Sequence, residues 1–300
     1  MLSFWAGSGM WVVTMVATSI FPLDAHRQEN LERSVLREHL CFLASFDHGE
    51  NADIAAGNPQ IYTSFSFKRT DSKPGLNTDT VFIAKQEGRF GNALRFDLFK
   101  GERAVFFEAE KNLPYLERDW QGAISFWLRL DPVADLPPTY VDPIHITQRG
   151  WNDGALWVDF PRDETPRSFR LGTFPDLASW NPDNSKLEAL PKNQRPLVEV
   201  KDPPFARDQW THVIFTFSGL NSEKGKMHSR LYINGQLQGQ ALVKGAKLTW
   251  DPSQVGIMLG LNYVGYIDEV AIFDRSLDAA EIQSLFQLKQ GIRSFVKYDQ

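Results

Sequence analysis

Apolar and polar positions alternate along much of this chain with a period of two, the repeat that sends every second side chain of a strand to the same face. Leu43-Ala-Ser-Phe-Asp alternates, as do Ile61-Tyr-Thr-Ser-Phe-Ser-Phe and Ala104-Val-Phe-Phe. Gly91-Asn-Ala-Leu-Arg-Phe-Asp sets Ala93, Arg95 and Asp97 on one face and Leu94 and Phe96 on the other, which predicts a half-buried strand. Gly122-Ala-Ile-Ser-Phe-Trp-Leu-Arg-Leu-Asp reads as a long strand that Asp131-Pro132 ends. After Trp210 the pattern is densest, with Trp210-Thr-His-Val-Ile-Phe-Thr-Phe, Arg230-Leu-Tyr-Ile and Gly265-Tyr-Ile-Asp-Glu-Val-Ala-Ile-Phe. Asn234-Gly235 predicts a hairpin, because a type I′ turn needs positive φ at both central residues.

Helical spacing is scarce. Leu31, Val35, Leu36 and Leu40 fall on one side of a short helix or linker over 26–40. At the other end Leu277-Asp-Ala-Ala-Glu-Ile fits a capping box, with Asp278 capping, Glu281 reaching back and Leu277 stapled onto Ile282. That helix would present Ile282, Leu285 and Phe286 to the rest of the molecule. Short strands at regular intervals and almost no long helix predict an all-β fold, a two-sheet antiparallel sandwich or jelly roll.

Two segments depart from the pattern. Between about 136 and 207, prolines at 137, 138, 143, 161, 166, 175, 182, 191, 196, 203 and 204 interrupt the chain, leaving strands around Ala155-Leu-Trp-Val-Asp-Phe and Ser168-Phe-Arg-Leu-Gly. Residues 179–204 therefore read as an ordered excursion over one sheet, the kind of loop where binding specificity resides. From Leu2 to Leu23 there is no charged residue. Three readings stay open: a secretory signal cut near Ala25, an uncleaved membrane anchor or tether through 2–23, and a misassigned start. The first two would export the protein to the periplasm, cell envelope or exterior.

Composition narrows the function. A formal charge of -5 and no run of Lys and Arg argue against nucleic acid, since nothing would neutralise phosphates. The 22 Phe and 9 Trp supply a large core. One cysteine, Cys41, forbids an internal disulfide and reads as a small buried hydrophobe. No phosphate loop, dinucleotide fingerprint or Gly-x-Ser-x-Gly elbow occurs. His26, His48, His145, His212 and His228 are scattered, with His145 and His212 in apolar strand contexts that read as core histidines bonded to backbone.

Together the blocks after Trp210, with Phe46-Asp47, Phe90-Gly-Asn-Ala-Leu-Arg-Phe and Ile124-Ser-Phe-Trp, resemble a LamG-like (concanavalin A-like) jelly-roll domain, here over 41–290 with a tail at 291–300. The stretch from Trp151 to Pro182 is similar to an insertion in LamG-like proteins of planctomycete-type bacteria. The resemblance implies a structural calcium ion, and by position Asp47, Asp53 and Asp268 would hold it, with backbone carbonyls completing an oxygen shell. The alternative is that Asp47 and Asp53 end a strand and cap a turn while Asp268 pairs with an arginine.

Laminarinase-type hydrolases of the same sandwich carry Glu-x-Asp-x-x-Glu along one strand, whose glutamates flank the scissile bond. Here Tyr266 and Ala271 stand where those glutamates belong, and adjacent Asp268 and Glu269 are expected on opposite faces of the strand. The expectation is therefore a non-enzyme, with a glucanase-like hydrolase or lyase as the remote alternative. A recognition module for carbohydrate or protein fits better, with an accessory domain that only makes protein contacts as the other reading. Trp151 and Trp180 would serve as stacking platforms, and Asn152, Asp153, Asn181 and Arg170 as hydrogen-bonding groups, unless the tryptophans fold back to anchor the loop. Trp157 reads as a buried strand residue, and Trp120, Trp127, Trp210 and Trp250 as core or strand-end packing.

Overall fold

The computed structural model describes residues 33–99, 103–162, 164–223, 226–244 and 246–295. The apolar segment expected to be a signal or anchor lies outside the described residues, as does the end of the expected tail, 296–300. Among the described residues no helix is long and apolar enough to cross a membrane.

Two antiparallel sheets stack face to face, as the alternation predicts. The first runs in the order Gln236–Lys244 (β15), Lys226–Ile233 (β14), Thr211–Leu220 (β13), Trp120–Arg129 (β8), Gly265–Phe273 (β17), Leu40–Ala44 (β1) and Ile54–Ala55 (β2). Ala93–Phe96 (β6) also pairs with β17, and Val81–Ala84 (β5) with β6. The second sheet runs Leu197–Val200 (β12), Phe169–Phe174 (β11), Ala155–Phe160 (β10), Val141–Thr147 (β9), Gly256–Leu261 (β16), Ala104–Glu108 (β7), Ile61–Ser64 (β3) and Lys73–Pro74 (β4). Phe42, Ile124, Phe126, Phe215 and Ile272 of the first sheet meet Phe107, Ile146, Val158 and Ile257 of the second in one fully buried core. Phe42 lies edge-on to Phe107 with ring centroids 4.9 Å apart.

The outer face of the first sheet is covered. A helix described over 33–38 (α1) and the capped helix Ala279–Phe286 (α3) bring Leu36, Ile282 and Leu285 onto Ala123, Ile214, Ala271 and Phe273. The capping box forms as its spacing predicts: Asp278 accepts from the backbone N–H groups of Ala280 and Glu281, and Glu281 accepts from that of Asp278 at 2.9 Å. The hairpin forms too, with Asn234 at φ +50° and Gly235 at φ +77° between β14 and β15.

The proline-rich middle is more regular than its sequence suggests. Besides the two expected strands, it supplies β9 and β12, so four strands of the second sheet come from this stretch. Pro143 conceals β9. It falls in an irregularity where Ile144 pairs with Val158 but Val141 with Phe160, a bulge that tolerates a residue with no N–H to give. Only the piece between β11 and β12 is an excursion, carrying the short helix Leu177–Trp180 (α2) and two 3₁₀ turns.

Outward from β10, Trp157 lies flat across the neighbouring strand, because its partner on β11 is Gly172. Any Cβ at position 172 would overlap the indole. Phe174 stacks against the same ring, centroids 5.4 Å apart. Replacing Gly172 with Ala should therefore lift Trp157 off the sheet and cost about 1–3 kcal/mol. Denaturant unfolding checks this: the variant should unfold at lower denaturant concentration with altered tryptophan fluorescence.

Candidate ligand groove on the second sheet

The outer face of the second sheet is open where that of the first is closed. Side chains that alternate away from the core form its floor: Met258 on β16, Asp142 and His145 on β9, Trp157 and Asp159 on β10, and Arg170 on β11. Two adjoining cavities of about 360 and 320 Å³ share Tyr140, Asp142 and Trp151, and together make one groove across these strands. Phe67, Lys68 and Arg69 form one end, and Leu187 and Glu188 the other. Trp151 and Tyr140 stand on the rim, 50% and 43% exposed.

The polar groups of the floor are paired. His145 Nδ1 lies 2.5 Å from Asp142 Oδ2. Arg170 donates from Nε to Asp159 at 2.8 Å and from a second nitrogen to the other carboxylate oxygen, and its guanidinium lies 5.6 Å from the ring centroids of both Tyr140 and Trp157. Burial pushes the Asp159 carboxyl up to about 6, even with Arg170 upon it. Such fixed donors and acceptors beside exposed rings can orient a ligand that has one apolar face and many hydroxyls.

Of the residues the sequence nominated, Trp151 and Arg170 line the groove. Trp180, Asn152 and Asp153 hold the loop that carries Trp151, and Asn181 does not take part in it. Trp180 donates its indole N–H to Asn152 O at 2.9 Å and packs on Phe174, so it anchors instead of presenting a platform. Asp153 accepts from Leu177 N at 2.9 Å at the start of α2, and Asn181 closes its own turn through Ser185. Trp157 donates to Trp151 O at 2.8 Å and Trp250 to Gly154 O at 2.8 Å. Tyr140, Asp142 and Asp159 escaped the sequence reading, although alternation around Trp157 marks Asp159 as its same-face neighbour. His145, expected as a core histidine, faces the groove by plain alternation, since Ile144 and Ile146 on either side of it point into the core, and the bulge at Pro143 brings Asp142 to the same face. His212 is a core histidine, but its partner is the Ser125 hydroxyl at 2.9 Å and not backbone. Burial and the nearby Arg89 lower its pKa to about 3, which keeps the imidazole neutral between Trp127 and Phe286.

The carboxylates suggested for calcium lie at the first sheet. Asp47 accepts from Asn92 N at 2.7 Å and pairs with Arg293 at 2.5 Å. Asp53 accepts from Ser45 N at 2.8 Å and meets His48 Nδ1 at 2.9 Å. Asp268 accepts from Arg89 N at 2.6 Å and Phe90 N at 3.3 Å. Among the described residues no three His, Cys, Asp or Glu side chains group as metal ligands.

The expectation that Asp268 and Glu269 point to opposite faces is corrected. The β17–β8 register slips between Asp268 and Ala271, and Glu269 adopts φ +52°. Ile267 and Val270 both stay in the core, so this bulge turns the two acids to the covered side together. Both are buried, and Glu269 accepts from Ile292 N at 2.5 Å. Cys41 is half-buried, and burial pushes its thiol up to about 11, away from reactivity.

A family model described as the concanavalin A-like lectin/glucanases superfamily matches residues 114–283. That match carries no planctomycete-type origin. No curated protein matches the sequence. Among solved structures, domain 4 of AbnA, a GH43 extracellular arabinanase from Geobacillus stearothermophilus, in complex with arabinotriose, superposes with a TM-score of 0.50 at 16% identity, covering 83% of this chain and 100% of that one. The binding domain of paraclostridial mosquitocidal protein 1 gives a TM-score of 0.50 at 15% identity, covering 84% of this chain and 52% of that one, so this chain spans about half its length. At such identities the likeness is one of fold.

The acid pair on β17 makes a measurable prediction. Burial raises Asp268 to about 7, with Asp47 adding to the rise. Burial, then Asp268 and Asp47, raises Glu269 to about 8. The folded chain thus holds these protons more tightly than the unfolded chain. Stability should be full below the ordinary carboxyl range and decline as pH climbs through 7 and 8. Urea unfolding at pH 5, 7 and 9 should show this decline, and Glu269→Gln should flatten its upper part.

Proposed function

The chain belongs to the concanavalin A-like lectin/glucanase superfamily, and from that premise we propose that it is a non-catalytic recognition module whose second-sheet groove binds carbohydrate. One observation carries the reading: Trp151 and Tyr140 hold their rings at the rim of a groove floored by oriented pairs, Asp142–His145 and Asp159–Arg170. Sugar rings offer flat C–H faces to aromatic rings and hydroxyls to such pairs. The arabinotriose in the similar arabinanase domain supports the same ligand class.

A binding role fits the carboxylates. Asp142 and Asp159 are tied to His145 and Arg170, while Asp268 and Glu269 are buried beneath the segments whose N–H groups they accept. By the resemblance drawn from the sequence, Tyr266 and Ala271 would stand where hydrolases of this sandwich carry glutamates. Export to the cell envelope or exterior is part of the proposal, supported by the uncharged apolar stretch 2–23.

A glycan array, followed by affinity electrophoresis, tests the proposal. Trp151→Ala and Tyr140→Ala should each cost about 1–2 kcal/mol of binding, roughly 5- to 30-fold in Kd, with the circular dichroism unchanged. Binding undiminished by both substitutions would reject the groove. Steady release of reducing ends from a bound polysaccharide would reject the non-catalytic role.

A further inference from the structure

We infer that the groove selects glycans bearing anionic substituents, with a uronate-type carboxylate received at the end formed by Lys68 and Arg69. This rests on the carbohydrate reading above and narrows its ligand class.

Arg69 is a fixed cation. Its guanidinium donates to Gln254 O at 2.6 Å and lies 5.3 Å from the centroid of the Phe106 ring. Gly256 on β16 leaves the space for it, since a Cβ there would overlap the guanidinium. Arg69 itself sits at φ +56°, a backbone conformation that an L side chain adopts rarely, so the turn is built around this placement.

Its charge is uncompensated. Among the described residues no carboxylate pairs with Arg69 or with the exposed Lys68 beside it. The other cations lining the groove are matched: Arg149 pairs with Asp176 and Asp153, and Arg170 with Asp159. Asp142, the acid that shares a cavity with Lys68 and Arg69, is already bonded to His145. Two spare positive charges therefore stand at one end of the groove, while exposed Glu188 marks the other. A chain carrying a net charge of -5 has no general attraction for anions, so this local surplus is selective. A guanidinium partly withdrawn from water and lacking an ionic partner gains a charge-assisted bond when a carboxylate arrives.

Isothermal titration of the full chain with polygalacturonate, its methyl ester, neutral arabinan and dextran sulfate tests the inference. Polygalacturonate should bind about tenfold tighter than its ester, the worth of one charge-assisted hydrogen bond, and this advantage should fade as salt is raised. Arg69→Gln and Lys68→Gln should bring acid and ester to equal affinity, whereas Trp151→Ala should weaken every glycan and keep the ratio of acid to ester. Lys68→Gln, at an exposed position, keeps the test readable should the Arg69 variant fold poorly. Preference for dextran sulfate would support the anionic class and assign the sulfate ester in place of the carboxylate. Equal affinity for acid and ester, or an acid preference indifferent to both substitutions, would overturn the inference while leaving the carbohydrate reading intact. Silence from all four polymers would overturn both.

Discussion

Three indole N–H groups converge on one turn, and the groove depends on them. Trp157, Trp180 and Trp250 donate to the carbonyls of Trp151, Asn152 and Gly154. The turn is further held by Asp153 at the start of α2 and by Thr147, which donates to Gly154 O at 2.9 Å. A surface loop would ordinarily leave such carbonyls to water and move with it. Here the backbone on both sides of the exposed Trp151 ring is fixed from beneath, so a ligand meets a platform already ordered. Ordering entropy is met at folding and not at association, which is how preorganised sites gain affinity.

The two sheets divide their tasks through what covers them. Apolar residues of α1, α3 and the 292–295 turn seal the first sheet. The same face buries a polar point where Asp47, Asp268 and Glu269 accept from N–H groups of the 89–92 and 292 backbone and Arg293 pairs with Asp47. These acids act as acceptors that lock two loops to β17. Among the described residues the second sheet carries no helix of comparable size, and its excursion folds along one side of the face. What remains uncovered is the groove.

Much of the architecture was legible because it is local. Alternation marked the strands, Asn234-Gly235 fixed a hairpin, and Leu277 to Ile282 spelled a capping box, each a rule acting within ten residues. The groove was less legible because it is made by non-local effects. Pro143 disguised β9, so the alternation of Ile144 and Ile146 that sends His145 outward went unread, as did the bulge that sets Asp142 on the same face. A second bulge put Asp268 and Glu269 on one face, where strict alternation separates them. Trp151 and Trp180 are alike in composition and context, yet one is presented and the other, half-buried, serves as an anchor. That distinction depends on which carbonyl an indole reaches in three dimensions. The spare charge of Arg69 was invisible for the same reason, since only the fold shows which acids lie beyond its reach.

β1 and β17 lie side by side, with Phe42 opposite Ile272 and Leu43 opposite Ala271. The middle of the first sheet thus joins segments more than two hundred residues apart. During synthesis, residues 40–44 have only the two-residue β2 to pair with until residue 273 has left the ribosome. Loop closure over such a span is slow. The nascent chain therefore has good reason to lean on a holding chaperone, and a ribosome stalled before β17 would release a half-sandwich with a sticky flank.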